Sequence, residues 1–168
     1  MTPILSQSEV QRALSAFLSD RRVNREFYDK VPEDKFDYRM VDTPSRKSDT
    51  PRESLAHQIR VQREYILAME TGKLEFGVLS GTEAGLRALS KTALLEELKA
   101  ADDELARTLA EDDAGTRQIE VPWSRDKKSI LSVLEALHFH EVLHTGWNLA
   151  IMDHLNMERY PALREVWG

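Results

Sequence analysis

Four of the five histidines in this chain fall within one stretch, Leu137 to Leu155, which reads L-H-F-H-E-V-L-H-T-G-W-N-L-A-I-M-D-H-L. His140 and His144 stand four residues apart. On a helix that spacing sets both imidazoles on one face, a turn apart, where two ligands can reach one divalent ion. The surrounding pattern supports the helix. Ile130, Leu134, Leu137, Glu141, His144, Asn148, Ile151 and Leu155 fall on one track, and Val133, Leu137, His140, His144, Trp147 and Ile151 on the adjacent one. Both tracks read as inward-facing, in a helix from about Lys127 to about Leu155. Two buried neutral imidazoles would each need a hydrogen-bond partner, and one metal ion satisfies both.

The remaining segments also read as helices. Segment one, Ser8 to Tyr28, opens with Ser8 and Gln11 as a capping box and carries Val10, Leu14, Phe17 and Leu18 on one stripe. Segment two has Thr50 as its cap, Pro51 at the first helical position and Glu53 closing the box; it stops at Gly72. Segment three, Thr92 to Glu111, sets Leu95, Leu98, Leu105 and Leu109 against a charged, solvated face. Between these lie an extended connecting loop from Val31 to Asp49, a stretch from Lys73 to Ser90 that reads as mostly loop with one short turn of helix at its end, and a further long loop from Asp112 to Asp126; a capping tail follows Asn156. Phe36, Tyr38 and Met40 are expected to tuck beneath the first loop. Four amphipathic segments without an alternating strand pattern predict one all-α domain over residues 1–168, a four-helix bundle with long crossover loops.

Composition narrows the chemistry. The chain has no cysteine, which removes disulfides, thiolate ligands and a cysteine nucleophile and leaves His, Asp and Glu as metal ligands. A formal charge of -6 argues against nucleic acid, whose phosphates need clustered Lys and Arg. The N-terminus has no basic region ahead of a long apolar core, and no apolar run approaches the ~18 residues of a membrane span. The expectation is a cytoplasmic protein with neither membrane nor nucleic acid as partner.

The string H-E-x-x-H at positions 140–144 is also the helix signature of zinc proteases. The longer metzincin pattern requires Gly and His where this chain has Trp147 and Ala150. A gluzincin would need a downstream carboxylate such as Glu165 and a strand edge for an extended substrate, and the pattern offers no strand. A third metal ligand must therefore come from elsewhere. His138 points about 160° away from His140, and His154 lies about 15 Å along the axis from His144. His57, at the margin of the apolar sector of segment two, is the best candidate, with Glu141, Asp102 and Glu64 as carboxylate alternatives.

Three blocks carry a family resemblance: V-P-E-D-K-F-D-Y-R (31–39), P-R-E-S-L-A-H-Q-I-R (51–60) and H-F-H-E-V-L-H-T-G-W-N-L (138–149). Together they resemble the connection after the first helix, the second-helix block and the last-helix block of the DinB/YfiT-like superfamily of metal-binding four-helix bundles. One departure is Gln58, where the family often has an apolar residue after its histidine. The resemblance implies that His57, His140 and His144 bind a divalent metal, leaving positions open for water or substrate. It also implies a homodimer packed helix against helix. Members of known activity are metal-dependent transferases or isomerases using low-molecular-weight thiols, and a hydrolase role has been proposed for others.

The resulting expectation is a metal-dependent transferase or hydrolase that activates a low-molecular-weight thiol or water against a small-molecule substrate. Zn or Ni suits the ligands first, and Mn or Fe also fits imidazole. Glu141 reads as a supporting base or a packing residue, since its position turns it about 100° from His140. Trp147 reads as a pocket wall or plain core, Tyr65 and Trp123 as lining the mouth, and Asn148 as a hydrogen-bond partner of a ligand imidazole. The competing readings are a non-catalytic binding or sequestering bundle with a structural metal, and a structural dimer without metal.

Overall fold

The second long helix begins where its residues dictate. Thr50 Oγ1 accepts from the Glu53 backbone N–H at 3.1 Å, and the Glu53 carboxylate accepts from the Thr50 N–H at 2.9 Å. Pro51 occupies the first turn, where its missing N–H costs nothing. The helix ends on Gly72, whose φ of 81° closes it in the left-handed region that favours glycine. A computed structural model describes residues 7–111 and 113–167 of the chain. Residues 1–6, Asp112 and Gly168 lie outside the described residues, and with them most of the N-terminal stretch read as leaderless and the outer bounds of one loop and the tail.

Six α-helices are present among the described residues rather than four: α1 Gln7–Lys30, α2 Pro51–Thr71, α3 Ser80–Arg87, α4 Lys91–Leu109, α5 Ile130–His154 and α6 Pro161–Trp167. The two short ones occupy the capping tail and the stretch 73–90, where the expected single helical turn extends to about two. α3 contains Gly81 and Gly85, which weaken helical propensity, and it buries only Leu86. α6 starts at Pro161 and covers one end of the fold with Ala162 and Leu163. Ser8, read as a cap, is already inside α1. The first turn of α1 instead serves its neighbour: the Gln7 and Gln11 amides donate to the Leu109 carbonyl at the end of α4, at 2.8 and 3.4 Å.

The loop before α5 also holds a two-residue antiparallel ladder, β1 Gln118–Ile119 with β2 Lys128–Ser129. Glu120 straps this loop to the end of α2. Its N–H donates to the Gly72 carbonyl at 2.9 Å and its carbonyl accepts from Leu74 at 2.8 Å. At the opposite end, Phe36 is buried and Tyr38 and Met40 pack against the same core, as their position in the first loop predicts. No helix of the described residues is long and apolar enough to cross a membrane.

The four long helices enclose two apolar clusters. One gathers Leu14 and Phe17 with Tyr65, Leu105 and Leu134; the other gathers Phe27 with Leu55, Ile59, Leu98 and Ile151. Between them each long helix contributes polar residues to a buried layer. Arg21 of α1 donates to Gln58 Oε1 at 3.0 Å and to Gln62 Oε1 at 2.5 Å on α2. Its Nη1 lies 2.9 Å from Glu141 Oε2 on α5, and its Nε 3.2 Å from Asp102 Oδ1 on α4. These two contacts hold by charge, because neither Arg21 Nε nor Glu141 Oε2 has an aligned hydrogen bond. Asn24 donates to the other oxygen of Glu141 at 2.5 Å and accepts from Thr145 at 3.1 Å and Asn148 at 2.7 Å.

Breaking a buried ion pair by removing one partner strands the other charge. Arg21→Met is therefore expected to destabilise the fold by about 3–5 kcal/mol. Urea unfolding of the variant beside the parent protein measures the loss, and a change within experimental error would contradict it.

Candidate metal centre

His57 comes from α2 and the other two histidines from α5, so two packed helices bring them together. One ring nitrogen from each of His57, His140 and His144 lies within 4.8 Å of the others. His140 Nε2 is 3.1 Å from His57 Nε2 and 3.3 Å from His144 Nε2. Two nitrogens bound to one tetrahedral ion at ordinary Zn–N distances stand about 3.3 Å apart, so the spacing fits a common ion. No Asp or Glu joins this group among the described residues.

Protonation alone cannot satisfy the cluster. A guanidinium only donates, so Arg60 Nη2, 3.1 Å from His57 Nδ1, makes that nitrogen an acceptor and puts the proton on Nε2. His57 Nε2–H then uses the single lone pair of His140 Nε2. The contact from His144 Nε2 is left with a second donor and no acceptor, or with two facing lone pairs. Giving His140 the proton instead sets two N–H groups toward each other at His57. An ion at the centre removes the conflict, on condition that His57 shifts its proton to Nδ1 and Arg60 yields. Arg60 already has carboxylates to hold it, Glu83 at 2.6 Å and Glu64 at 2.7 Å.

The three imidazoles are half-buried and kept neutral. Burial, followed by the neighbouring His57, holds His140 down at about 4; burial and His140 hold His144 at about 2. His57 is lowered by burial and by Arg60. Neutral imidazole is the form that ligates a metal. His144 Nδ1 lies 3.0 Å from Ser54 Oγ, which is itself 3.0 Å from Tyr28 OH, so a serine and a tyrosine orient that ring.

A pocket of about 500 Å³ opens on His57 and His140 and is walled by Val61, Tyr65, Phe76 and the Arg60–Glu83 pair. A larger hollow of about 630 Å³ lies beside Phe76, between the loops around residues 73–76 and 120–127, and includes no histidine. Tyr65 thus stands in the wall of the histidine pocket. Trp123 is half exposed and reaches it indirectly, its ring stacked on Phe76 at 6.2 Å. Trp147 packs against the second apolar cluster instead. Asn148 donates to Asn24, and it is Ser54 that shares a hydrogen bond with the His144 imidazole. Glu141 is fully buried, with its carboxylate on Arg21 and Asn24; burial raises its pKa against the pull of Arg21. Asp102 shares Arg21, and Glu64 accepts from Arg60 and from the Leu79 N–H at 3.0 Å. His138 turns away to Asp20 at 2.5 Å, and His154 lies 3.4 Å from the Tyr38 hydroxyl.

Ser54 and Arg60 were not legible as site residues from composition. Helical spacing could have found them, since each lies three residues from His57 on its own face of α2.

Residues 10–147 match the family model of the DinB superfamily. Solved structures of similar fold include that of a DinB-like protein, YjoA, from Bacillus subtilis. It is 18% identical, covers 89% of this chain and 96% of its own, and has a TM-score of 0.65. At that identity the likeness is one of fold. No curated protein matches the chain.

The histidine environment sets a pH dependence. In metal-free protein the unfolded chain takes up protons below about 6.5 that the folded His140 refuses down to about 4. Stability is therefore full above the unfolded value and falls as the pH drops through that window. Urea midpoints of chelator-treated protein between pH 7 and pH 4 should decline, and a His140→Ala, His144→Ala double variant should decline less. Parallel profiles for the two proteins would count against the assignment.

Proposed function

The chain belongs to the DinB superfamily, and from that premise we propose that it is a divalent-metal protein with His57, His140 and His144 as ligands. The observation that carries this reading is the convergence of three neutral imidazoles on distances that no placement of protons satisfies. Three nitrogen ligands favour Zn or Ni, with Mn and Fe also accommodated. Such a site leaves coordination positions for water or a substrate, and a bound ion lowers the pKa of a water or thiol enough to make a nucleophile. We assign the reaction class as transfer to, or hydrolysis of, a small molecule, with a low-molecular-weight thiol or water as nucleophile, in the cytoplasm. The chain supplies the neutral ligands, Ser54 to orient His144, and a pocket beside His57 and His140 that admits the small molecule. Glu141, sealed behind Arg21, serves to fix α5 rather than to move protons.

The reading includes a homodimer through α5. Phe139 and Leu143 are 72% and 74% exposed, on a helix that is otherwise apolar on most sides. With Gly146 and Ala150 they form a stripe spaced by four, three and four residues, the seam of a helix pair. Antiparallel pairing with a second copy sets Phe139 against Ala150 and Leu143 against Gly146, large against small. Space is open where a side chain on Gly146 would begin.

Metal analysis of protein purified without a histidine tag decides the first reading. Stoichiometric divalent metal is expected, lost in both His140→Ala and His144→Ala; metal indifferent to both changes would sink it. Retained metal without turnover across a panel of thiols and electrophiles would favour a binding module over an enzyme. Light scattering on Leu143→Glu tests the dimer. The parent is expected at twice the chain mass and the variant at the chain mass, while an unchanged mass for both would exclude this interface.

A further inference from the structure

Three tyrosines are buried in this protein, and two have their hydroxyls satisfied. Tyr160 donates to the Val23 carbonyl at 2.9 Å, and Tyr28 bonds with Ser54 and Gln58. Tyr65 is only 4% exposed, yet among the described residues its hydroxyl has no hydrogen-bond partner. It is also absent from the polar atoms sealed without a partner, so the little surface it retains includes the hydroxyl. Burial alone pushes it up to about 12, which keeps it protonated and able to donate. With no acceptor among the described residues, that hydroxyl is free to donate to a bound molecule that offers one.

Its position says where that molecule would lie. His57, Val61 and Tyr65 form one stripe of α2 at successive turns, spanning about 12 Å by helical rise. Helical side chains lean toward the N-terminus, so the Tyr65 ring leans over Val61 toward His57. All three residues wall the same pocket. The outer wall is aromatic: Phe76 lies 6.0 Å from the Tyr65 ring and stacks on Trp123, and both outer rings are about half exposed. The charged wall is already neutralised. Arg60 is held by Glu83 and Glu64, and Glu83 is held also by Arg87. In the metal-free pocket no lining side chain is left with an unpaired charge to meet a charged ligand.

We propose that Tyr65 is the ligand-contacting donor of this pocket, which takes an uncharged molecule with a flat apolar body and one hydrogen-bond acceptor. Val61 and Phe76 receive the body, and the Tyr65 hydroxyl receives the acceptor, beside the histidines. This deepens the metal reading by naming the class of small molecule at the same site, yet the binding itself does not require the ion.

Acetophenone, its isostere α-methylstyrene (a methylene in place of the carbonyl oxygen) and benzoate are the probes, titrated by NMR against the protein as purified and after chelator treatment. After chelator treatment acetophenone is expected to bind more tightly than the other two, and in both samples more tightly than α-methylstyrene, with shifts at Val61, Tyr65 and Phe76. Tyr65→Phe should weaken acetophenone about three- to tenfold and leave α-methylstyrene unchanged. Phe76→Ala should weaken both alike, which a general loss of structure at Tyr65 would not reproduce. Equal binding of the ketone and its isostere, or an unchanged ketone affinity in Tyr65→Phe, overturns the proposal. Metal content is measured on the same samples. Absence of the Tyr65 effect from the protein as purified therefore rejects the subsite whatever becomes of the metal reading.

Discussion

One guanidinium touches all four long helices. Arg21 extends from α1 to Gln58 and Gln62 on α2, Asp102 on α4 and Glu141 on α5, between two apolar clusters that carry no directional information of their own. Apolar packing accepts small rotations and slides of a helix at modest cost. A buried cation with fixed donors does not, because a slip of one helix strands a charge away from water. The layer therefore sets the register of the bundle as much as its stability.

The histidines inherit that register. His57 is followed directly by Gln58, His140 by Glu141, and His144 by Thr145, and each follower is buried in the Arg21–Asn24 layer. Adjacent residues on a helix point about 100° apart. Fixing the followers toward the centre thus turns the three imidazoles toward each other at the edge of the α2–α5 contact. Gln58, which departs from the resembled family's pattern, has its explanation here as an acceptor for Arg21. Glu141, conspicuous in H-E-x-x-H, belongs to the same scaffold rather than to the pocket.

Local chemistry was legible and long-range pairing was not. Thr50, Pro51, Glu53 and Gly72 each act within a few residues of themselves, and α2 begins and ends where they indicate. The His140–His144 spacing is likewise a property of one helix, and His57 followed from the scarcity of other candidates. Arg21 gave no signal, because a charged residue in an amphipathic segment reads as solvated until its partners on three other helices are in place. α3 signals only a short turn of helix in the sequence because its glycines lower propensity and only Leu86 anchors it, so its full length depends on neighbours. Trp147 and Asn148 lie on tracks correctly read as inward-facing. Which inward neighbour each meets depends on helix rotation, which the Arg21 layer controls.

The three histidines are divided between α2 and α5, with 83 positions separating His57 from His140. A nascent chain leaves the ribosome from its N-terminus, so His57 emerges long before the pair it must meet. An ion encountering the partly made protein finds one lone imidazole, a weak trap for any metal. The cluster comes into being only when α5 has docked and Glu141 has found Arg21. Under the proposed metal reading, selection is thereby deferred to the finished fold, whose spacing, rather than the order in which ligands become available, would decide what the site accepts.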